Sequence, residues 1–202
     1  LSILLRAAWN RTTVLLEDGF EAERVAERLA EGDATLVSLV PTMLGRVLDA
    51  REGGRFHGRL RAVLLGGAAA PAALLSRCRE QEVPVARTWG MTEAGSQVAT
   101  AAPGDHAPGL PPLPLATVTA PEGVLTIDGP LVGEGTLRTG DRGWIDDVGR
   151  VHVEGRRDQI IISGGENLDG AAIEGALRAH PDVAEVCVVA MPDAEWGQRP
   201  GA

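Results

Sequence analysis

The chain contains no lysine: all 19 of its basic residues are arginine. Chemistry that needs a compact, mobile ammonium group therefore cannot come from these 202 residues. Acidic residues outnumber basic ones by 28 to 19, giving a formal charge of -9 and a pI near 4.9. Proteins that neutralise nucleic-acid phosphates show a basic excess or stripe, so no nucleic-acid partner is expected. Cysteine is scarce. Cys78 and Cys187 lie far apart without metal-ligand spacing, and both are expected to be reduced core residues. No apolar run approaches the roughly 18 residues of a membrane span, and Leu1 to Asn10 carries no charged region ahead of its apolar stretch. No membrane span and a cytoplasmic setting are expected. The 26 glycines and 13 prolines fall below the fraction that marks low-complexity chains, so disorder and collagen-like repeats are excluded.

The first ~100 residues alternate apolar runs with segments of helical period, a pattern of α/β layers. Strands are predicted at Thr12 to Leu16, Thr35 to Val40, Arg61 to Leu65 and Val83 to Trp89. Between them, Ala22, Val25, Ala26, Leu29 and Ala30 form a helical stripe that Gly32 ends, and Pro41 and Pro71 open further helices. From about Ala101 the chain turns proline-rich and then β-rich, with strands predicted at Val124 to Ile127, Leu137 to Thr139 and Val151 to Glu154. After Gly155 come a charged cluster, the apolar run Ile160 to Ile162, a Gly-Gly turn, a helix capped by Asp169 and a strand predicted at Val183 to Val189. This last portion reads as an unfinished second domain.

Four constellations could carry chemistry. Gly66-Gly67-Ala68-Ala69-Ala70-Pro71 puts small residues between a strand and a helix, where a flat ligand can lie against backbone, although an ordinary tight turn has the same composition. Thr88-Trp89-Gly90-Met91-Thr92-Glu93 offers a ring to stack on a base, a glycine for close approach, a hydroxyl for a phosphate oxygen and a carboxylate for Mg²⁺. Taken alone, Trp89 could equally be core and Glu93 a solvated charge at a helix start. Asp141 in Arg138-Thr139-Gly140-Asp141 could accept both hydroxyls of a ribose or simply shape a turn. The run from Gly155 to Asn167, with Arg156, Asp158 and Gly164-Gly165-Glu166, has the make-up of a hinge followed by a ligand-facing loop, or of a surface bend.

In this order, these motifs resemble the core motifs of the adenylate-forming acyl-CoA synthetase superfamily. Val37 to Leu44, Gly90 to Val98 and Glu195-Trp196-Gly197 are most similar to the branch that activates o-succinylbenzoate in menaquinone synthesis. The resemblance implies an α/β fold: a partial large N-terminal domain over residues 1–157, with a β-rich subdomain at about 101–155, then the start of a small mobile domain over 158–202 hinged at Asp158. It implies an ATP-dependent, AMP-forming ligase using ATP, Mg²⁺, coenzyme A and a carboxylic acid. By similarity, Gly66, Gly67, Ala68, Ala69 and Trp89 hold the adenine, Trp89 standing where the family more usually has tyrosine, and Gly90 and Met91 are further nucleotide-binding residues. Thr92 binds the α-phosphate, Glu93 the Mg²⁺, Asp141 the ribose and Arg156 the ribose or phosphate; Thr92, Glu93 and Arg156 are the catalytic set. Gly164, Gly165 and Glu166 line the pantetheine path, and Ser96 and Gln97 sit near the acyl pocket.

The resemblance also implies a phosphate loop ending in Pro-Lys ahead of Leu1 and a catalytic lysine after Ala202, and an interval between Ala101 and Gly135 shorter than the family's. These residues alone are therefore expected to bind AMP or an acyl-adenylate and to form adenylate poorly. Another aryl- or fatty-acyl-CoA ligase and a non-catalytic AMP-binding fragment are the alternatives. A homodimer is the base-rate expectation. His57, His106, His152 and His180 lack metal or triad spacing and are assigned surface or capping roles, and Gly133-Glu134-Gly135 lacks the third glycine of a dinucleotide fingerprint.

Overall fold

The computed structural model describes residues 2–51, 53–156, 160–178, 180 and 182–202, the side chains of residues 2 and 167 excepted. Asp158, the expected hinge, lies outside the described residues. The chain divides into two compact units, Leu1–Ala116 and Thr117–Ala202.

In the first unit, α1 (Ser2–Asn10) and α2 (Ala22–Glu31) precede β1 (Leu36–Leu39), α3 (Pro41–Ala50), β2 (Ala62–Leu65), α4 (Ala72–Glu80), β3 (Val85–Met91) and β4 (Ser96–Thr100). The four strands form one sheet in the order β1-β2-β3-β4, parallel across the first three and antiparallel between β3 and β4. Each helix follows from its apolar spacing and its ends. Ala22, Ala26 and Leu29 bury one face of α2, and Gly32 ends it in the left-handed region at φ 81°, its N–H donating to the Arg28 carbonyl. Pro41 opens α3 at the first helical position, where its missing N–H costs nothing, and Leu44, Val47 and Leu48 are fully buried. These side chains meet Leu29, Val63, Leu65, Cys78 and Val85 in a single core. Burying each large aliphatic contributes about 1.5–3 kcal/mol.

One expectation fails in this unit. Residues 12–16 form no strand: no neighbour pairs with them among the described residues, and Leu15 and Leu16 are exposed. An extended apolar run becomes a strand only when a ladder satisfies its backbone. The N-terminal segment forms α1 instead, with Ala7 buried and Trp9 89% exposed.

In the second unit, β5 (Thr117–Thr119), β6 (Val124–Asp128), β7 (Thr136–Ile145) and β8 (Val151–Arg156) make an antiparallel meander. Two hairpins form the other sheet, β9 (Ile160–Ser163) with β10 (Glu166–Asp169), and β11 (Val189–Asp193) with β12 (Gly197–Gly201), in the order β10-β9-β12-β11. Between the hairpins runs α5 (Gly170–Arg178), whose start is capped as expected: Asp169 Oδ1 accepts from the Ala171 N–H at 2.9 Å. The strand expected at Val183 to Val189 lies later in the chain. Residues 183–188 are irregular, and pairing starts at Val189, opposite Gly201. The hairpin turn sets that register, because Asp193 Oδ1 accepts from the N–H groups of Glu195 and Trp196 at 2.9 and 2.8 Å.

Cys78 is buried as expected, but Cys187 is exposed, lying in the irregular segment rather than in a buried strand. Both are free thiols.

Candidate functional site

In the first unit, the turn after β2 and the end of β3 lie against each other. A Cβ added to Gly66 would fall 2.2 Å from Thr88 Oγ1, so glycine lets the turn settle on β3 next to Trp89 without displacing the Thr88 side chain. Gly67 is left-handed at φ 84°, and Gly67, Ala68 and Ala69 are exposed. Backbone at the carboxyl ends of parallel strands is thus open to a flat ligand, as α/β sheets commonly arrange. Trp89 is 8% exposed, so most of the indole packs into the unit and only its margin faces outward.

Beyond Trp89, β3 leaves its regular pairing at a bulge between Trp89 and Gly90. A Cβ on Gly90 would lie 1.9 Å from the Ser96 carbonyl oxygen, which makes glycine obligatory where β4 crosses. The chain then turns through a 3-10 segment, Thr92–Ala94, that buries Ala94 and leaves Thr92 and Glu93 exposed side by side. Gly95, at φ 74°, reverses it into β4. A hydroxyl and a carboxylate are thereby fixed on one rigid turn. Ser96 and Gln97 sit opposite Met91 and Gly90, and Gln97 Oε1 accepts a hydrogen bond from Arg6 Nη1 of α1 at 3.1 Å. Arg6 and Gln97 are 91 residues apart in sequence, and no periodicity or motif announces their contact.

In the second unit, Asp141 on β7 is directly opposite Arg156 on β8. The buried Asp141 carboxylate is 3.8 Å from Arg156 Nε, and the guanidinium lies over Gly140, where a Cβ would meet Arg156 Nη2 at 3.0 Å. Arg138 to Asp141 lie within β7 rather than in a tight turn, and Thr139 steadies the strand there: its hydroxyl donates to the Leu125 carbonyl at 2.7 Å and accepts from the Asp141 N–H at 3.1 Å. Carboxylate and guanidinium, acceptor and donor for vicinal hydroxyls, are held as a pair.

The loop between β9 and β10 is set by Gly164 at φ 58° and Gly165 at φ 88°, and Glu166 is exposed at its end. A Cβ on Gly164 would sit 2.3 Å from Cε3 of Trp196, and the Gly164 N–H donates to the Trp196 carbonyl at 2.9 Å. The turn of the second hairpin therefore clamps the loop of the first.

A cluster absent from the sequence reading lies on the β7–β8 hairpin. His152 Nε2 is 2.8 Å from Asp146 Oδ2, and the His152 ring stacks on Trp144 at 4.7 Å and 12° between planes. The His152 hydrogen bond, with the Arg150 and Val148 N–H groups, holds the Asp146 carboxyl below the usual carboxylate range. Cross-strand pairing placed these residues together, and spacing in the sequence gives no sign of it.

Among the described residues, no three or more His, Cys, Asp or Glu side chains gather as a metal cage. The exposed Glu93 suits Mg²⁺, which typically takes one or two carboxylates and fills its shell with water and phosphate oxygens.

A glycine turn backed by a Trp-Gly-Met-Thr-Glu strand end in the first unit and an Asp–Arg pair on a hairpin of the second are features expected of a class of protein that handles adenosine phosphates. The family models agree: residues 2–128 match "AMP-binding enzyme" and residues 172–202 match "AMP-binding enzyme C-terminal domain". The chain belongs to the AMP-binding enzyme family. It is 35% identical over its whole length to a 2-succinylbenzoate–CoA ligase of Listeria innocua, and 36% identical to one of Bacillus licheniformis. It spans about half of these relatives, 47% and 48% of their lengths. Among solved structures, o-succinylbenzoate CoA synthetase of Bacillus subtilis in complex with the acyl-adenylate intermediate superposes with a TM-score of 0.88 at 33% identity, covering 98% of this chain and 47% of that one. The same enzyme with ATP and magnesium ion gives 0.86 at 32% identity, covering 98% and 47%. A likeness also extends to ATP-bound MatB from Rhodopseudomonas palustris, at 27% identity, a TM-score of 0.80 and coverage of 96% and 44%.

Proposed function

We propose that the protein carrying this chain is an ATP-dependent acid–thiol ligase that activates o-succinylbenzoate as an acyl-adenylate and passes the acyl group to coenzyme A. What supports this above all is the 0.88 superposition on the Bacillus subtilis synthetase bound to its acyl-adenylate, over 98% of the chain. In the first half-reaction a carboxylate oxygen of the acid forms a bond to the α-phosphorus of ATP, and pyrophosphate leaves. In the second, the coenzyme A sulfur bonds the acyl carbon, AMP departs and the thiol proton passes to solvent. The first step brings two anions together, so fixed donors and cations must offset their repulsion.

The residues take these tasks. The 66–69 turn, Gly90, Met91 and the outward margin of Trp89 receive the adenine. The Thr92 hydroxyl donates to the α-phosphate, and Glu93 holds Mg²⁺, which supplies charge neutralisation for the phosphates. Asp141 accepts from the ribose hydroxyls and Arg156 donates to ribose or phosphate oxygens. Gly164, Gly165 and Glu166 border the pantetheine path, and Ser96 and Gln97 the acyl pocket. Asp158 is the hinge, dividing a large domain, 1–157, from a small mobile one, 158–202. On the base rate for such enzymes we also propose a cytoplasmic homodimer, which sedimentation would read directly.

ATP–pyrophosphate exchange with a panel of acids tests the reading. Exchange driven by o-succinylbenzoate supports it; exchange driven only by other aryl or fatty acids replaces the substrate, and none with any acid points to a passive AMP module. Glu93→Gln should lower Mg²⁺-dependent exchange by about 100-fold or more while leaving the Kd for AMP within about twofold. The isolated 202 residues, which lack any lysine, should bind AMP and show little exchange.

A further inference from the structure

We propose that Thr139 is a positioning residue for ribose recognition: its buried hydroxyl holds the bulge in β7 that aims the Asp141 carboxylate at the nucleotide. This rests on the assignment of Asp141 to the ribose above. β6 and β7 pair at Asp128 with Thr136, Ile127 with Leu137 and Thr126 with Arg138, and again at Val124 with Arg142. Between these rungs three residues of β7, Thr139, Gly140 and Asp141, face the single residue Leu125 of β6. On the other side of β6, pairing with β5 reaches only as far as Thr126, so Leu125 has no register partner on either neighbouring strand. Extra residues of this kind bend a strand and re-aim its side chains.

A break in the ladder leaves buried backbone groups to be satisfied by other means, and here one side chain serves two of them. The carbonyl of the fully buried Leu125 accepts from the Thr139 hydroxyl at 2.7 Å, and the hydroxyl oxygen in turn accepts from the Asp141 N–H at 3.1 Å. Thr139 and Asp141 are both buried, so little water is at hand to replace either bond. The hydroxyl thus ties β6 to the backbone of the residue whose carboxylate receives the ribose, while Gly140 between them passes under the Arg156 guanidinium. Valine has the shape of threonine and makes neither bond. It would strand the Leu125 carbonyl and the Asp141 N–H, and the bulge would have to relax. A shift of the Asp141 backbone moves the carboxylate away from vicinal hydroxyls and leaves the rest of the nucleotide's contacts in place.

The test uses the protein as its gene encodes it, with AMP and its analogue lacking both ribose hydroxyls, dideoxy-AMP, as the probes of a calorimetric titration. Wild type should bind AMP more tightly than dideoxy-AMP, and Asp141→Asn should erase the difference. Thr139→Val should raise Kd for AMP by about 10-fold, the scale of a lost hydrogen bond to a charged group, and move Kd for dideoxy-AMP by less than about twofold. Thr139→Ser, which keeps the hydroxyl, should bring AMP binding back to within about threefold of wild type. Thr139→Cys, whose thiol is a weak donor, takes the place of Thr139→Val if the latter does not fold. Where Asp141→Asn behaves as expected, the ribose reading stands. Equal weakening of both nucleotides by Thr139→Val, weakening of neither, or no rescue by serine then overturns the role of Thr139 alone. A wild type that does not distinguish the two nucleotides, or an Asp141→Asn variant that still does, brings down the ribose reading and this proposal with it.

Discussion

At residue 90 a single methyl group would decide whether β3 and β4 can meet. An alanine Cβ there would lie 1.9 Å from a backbone carbonyl oxygen, so the strands must separate. Gly90→Ala should cost about 1–3 kcal/mol in urea unfolding and weaken AMP binding, because the same bulge positions Thr92 and Glu93. The two thiols differ as sharply. Cys78 is buried and desolvation pushes its pKa up to about 11, whereas Cys187 is exposed. Brief alkylation of the native protein at pH 8, read by peptide mass spectrometry, should label Cys187 and spare Cys78. The raised Cys78 value adds stability that is present below the thiol's ordinary value of 9.0 and is lost as pH rises towards 11. Close approach of a ligand was the reason the sequence offered for glycine at 66 and 90, whereas in the fold it is the chain itself, Thr88 Oγ1 and the Ser96 carbonyl oxygen, that crowds these positions. The sequence did not reveal that Trp89 would be mostly enclosed, because an indole beside a glycine serves core and ligand equally well.

Among the elements, the β7–β8 hairpin joins the candidate ribose pair to the Trp144–His152–Asp146 cluster. Asp146 titrates below its ordinary range, so its contribution is present above about pH 4 and disappears as pH falls through the lowered value. The stability difference between wild type and Asp146→Asn, from urea midpoints, should be full at pH 6 and should shrink as pH falls below about 4. Helices α2 to α5 were legible in the sequence because they carry their own instructions, a 3.6-residue stripe, Pro41 at a start, Gly32 and Asp169 at boundaries, whereas α1 was not foreseen. Strands were legible only where partners exist. Residues 12–16 look extended but have no ladder among the described residues, and residues 183–188 lose their strand to the register that the Asp193 turn imposes on the next segment.

For the molecule as a whole, the ordered series of motifs carried more than any periodicity could, since the motifs are spread over both units and local patterns report only neighbours. Arg6 and Gln97 show the limit of such reading, because only the folded chain brings positions 91 residues apart within 3.1 Å. A ligand that binds the native state alone stabilises it by mass action, so AMP at about 100 times its Kd should add about 2.7 kcal/mol to unfolding, and an acid without nucleotide much less. The four tryptophans and absent tyrosine have an optical consequence. Near-ultraviolet emission comes from indoles in unlike surroundings, with Trp89 8% exposed and Trp9 89% exposed. The blue edge of the spectrum therefore belongs mainly to the indole beside the Gly66 turn and the red edge to the one on α1. Nucleotide bound at that turn should dim the blue edge first, giving the site a colour of its own.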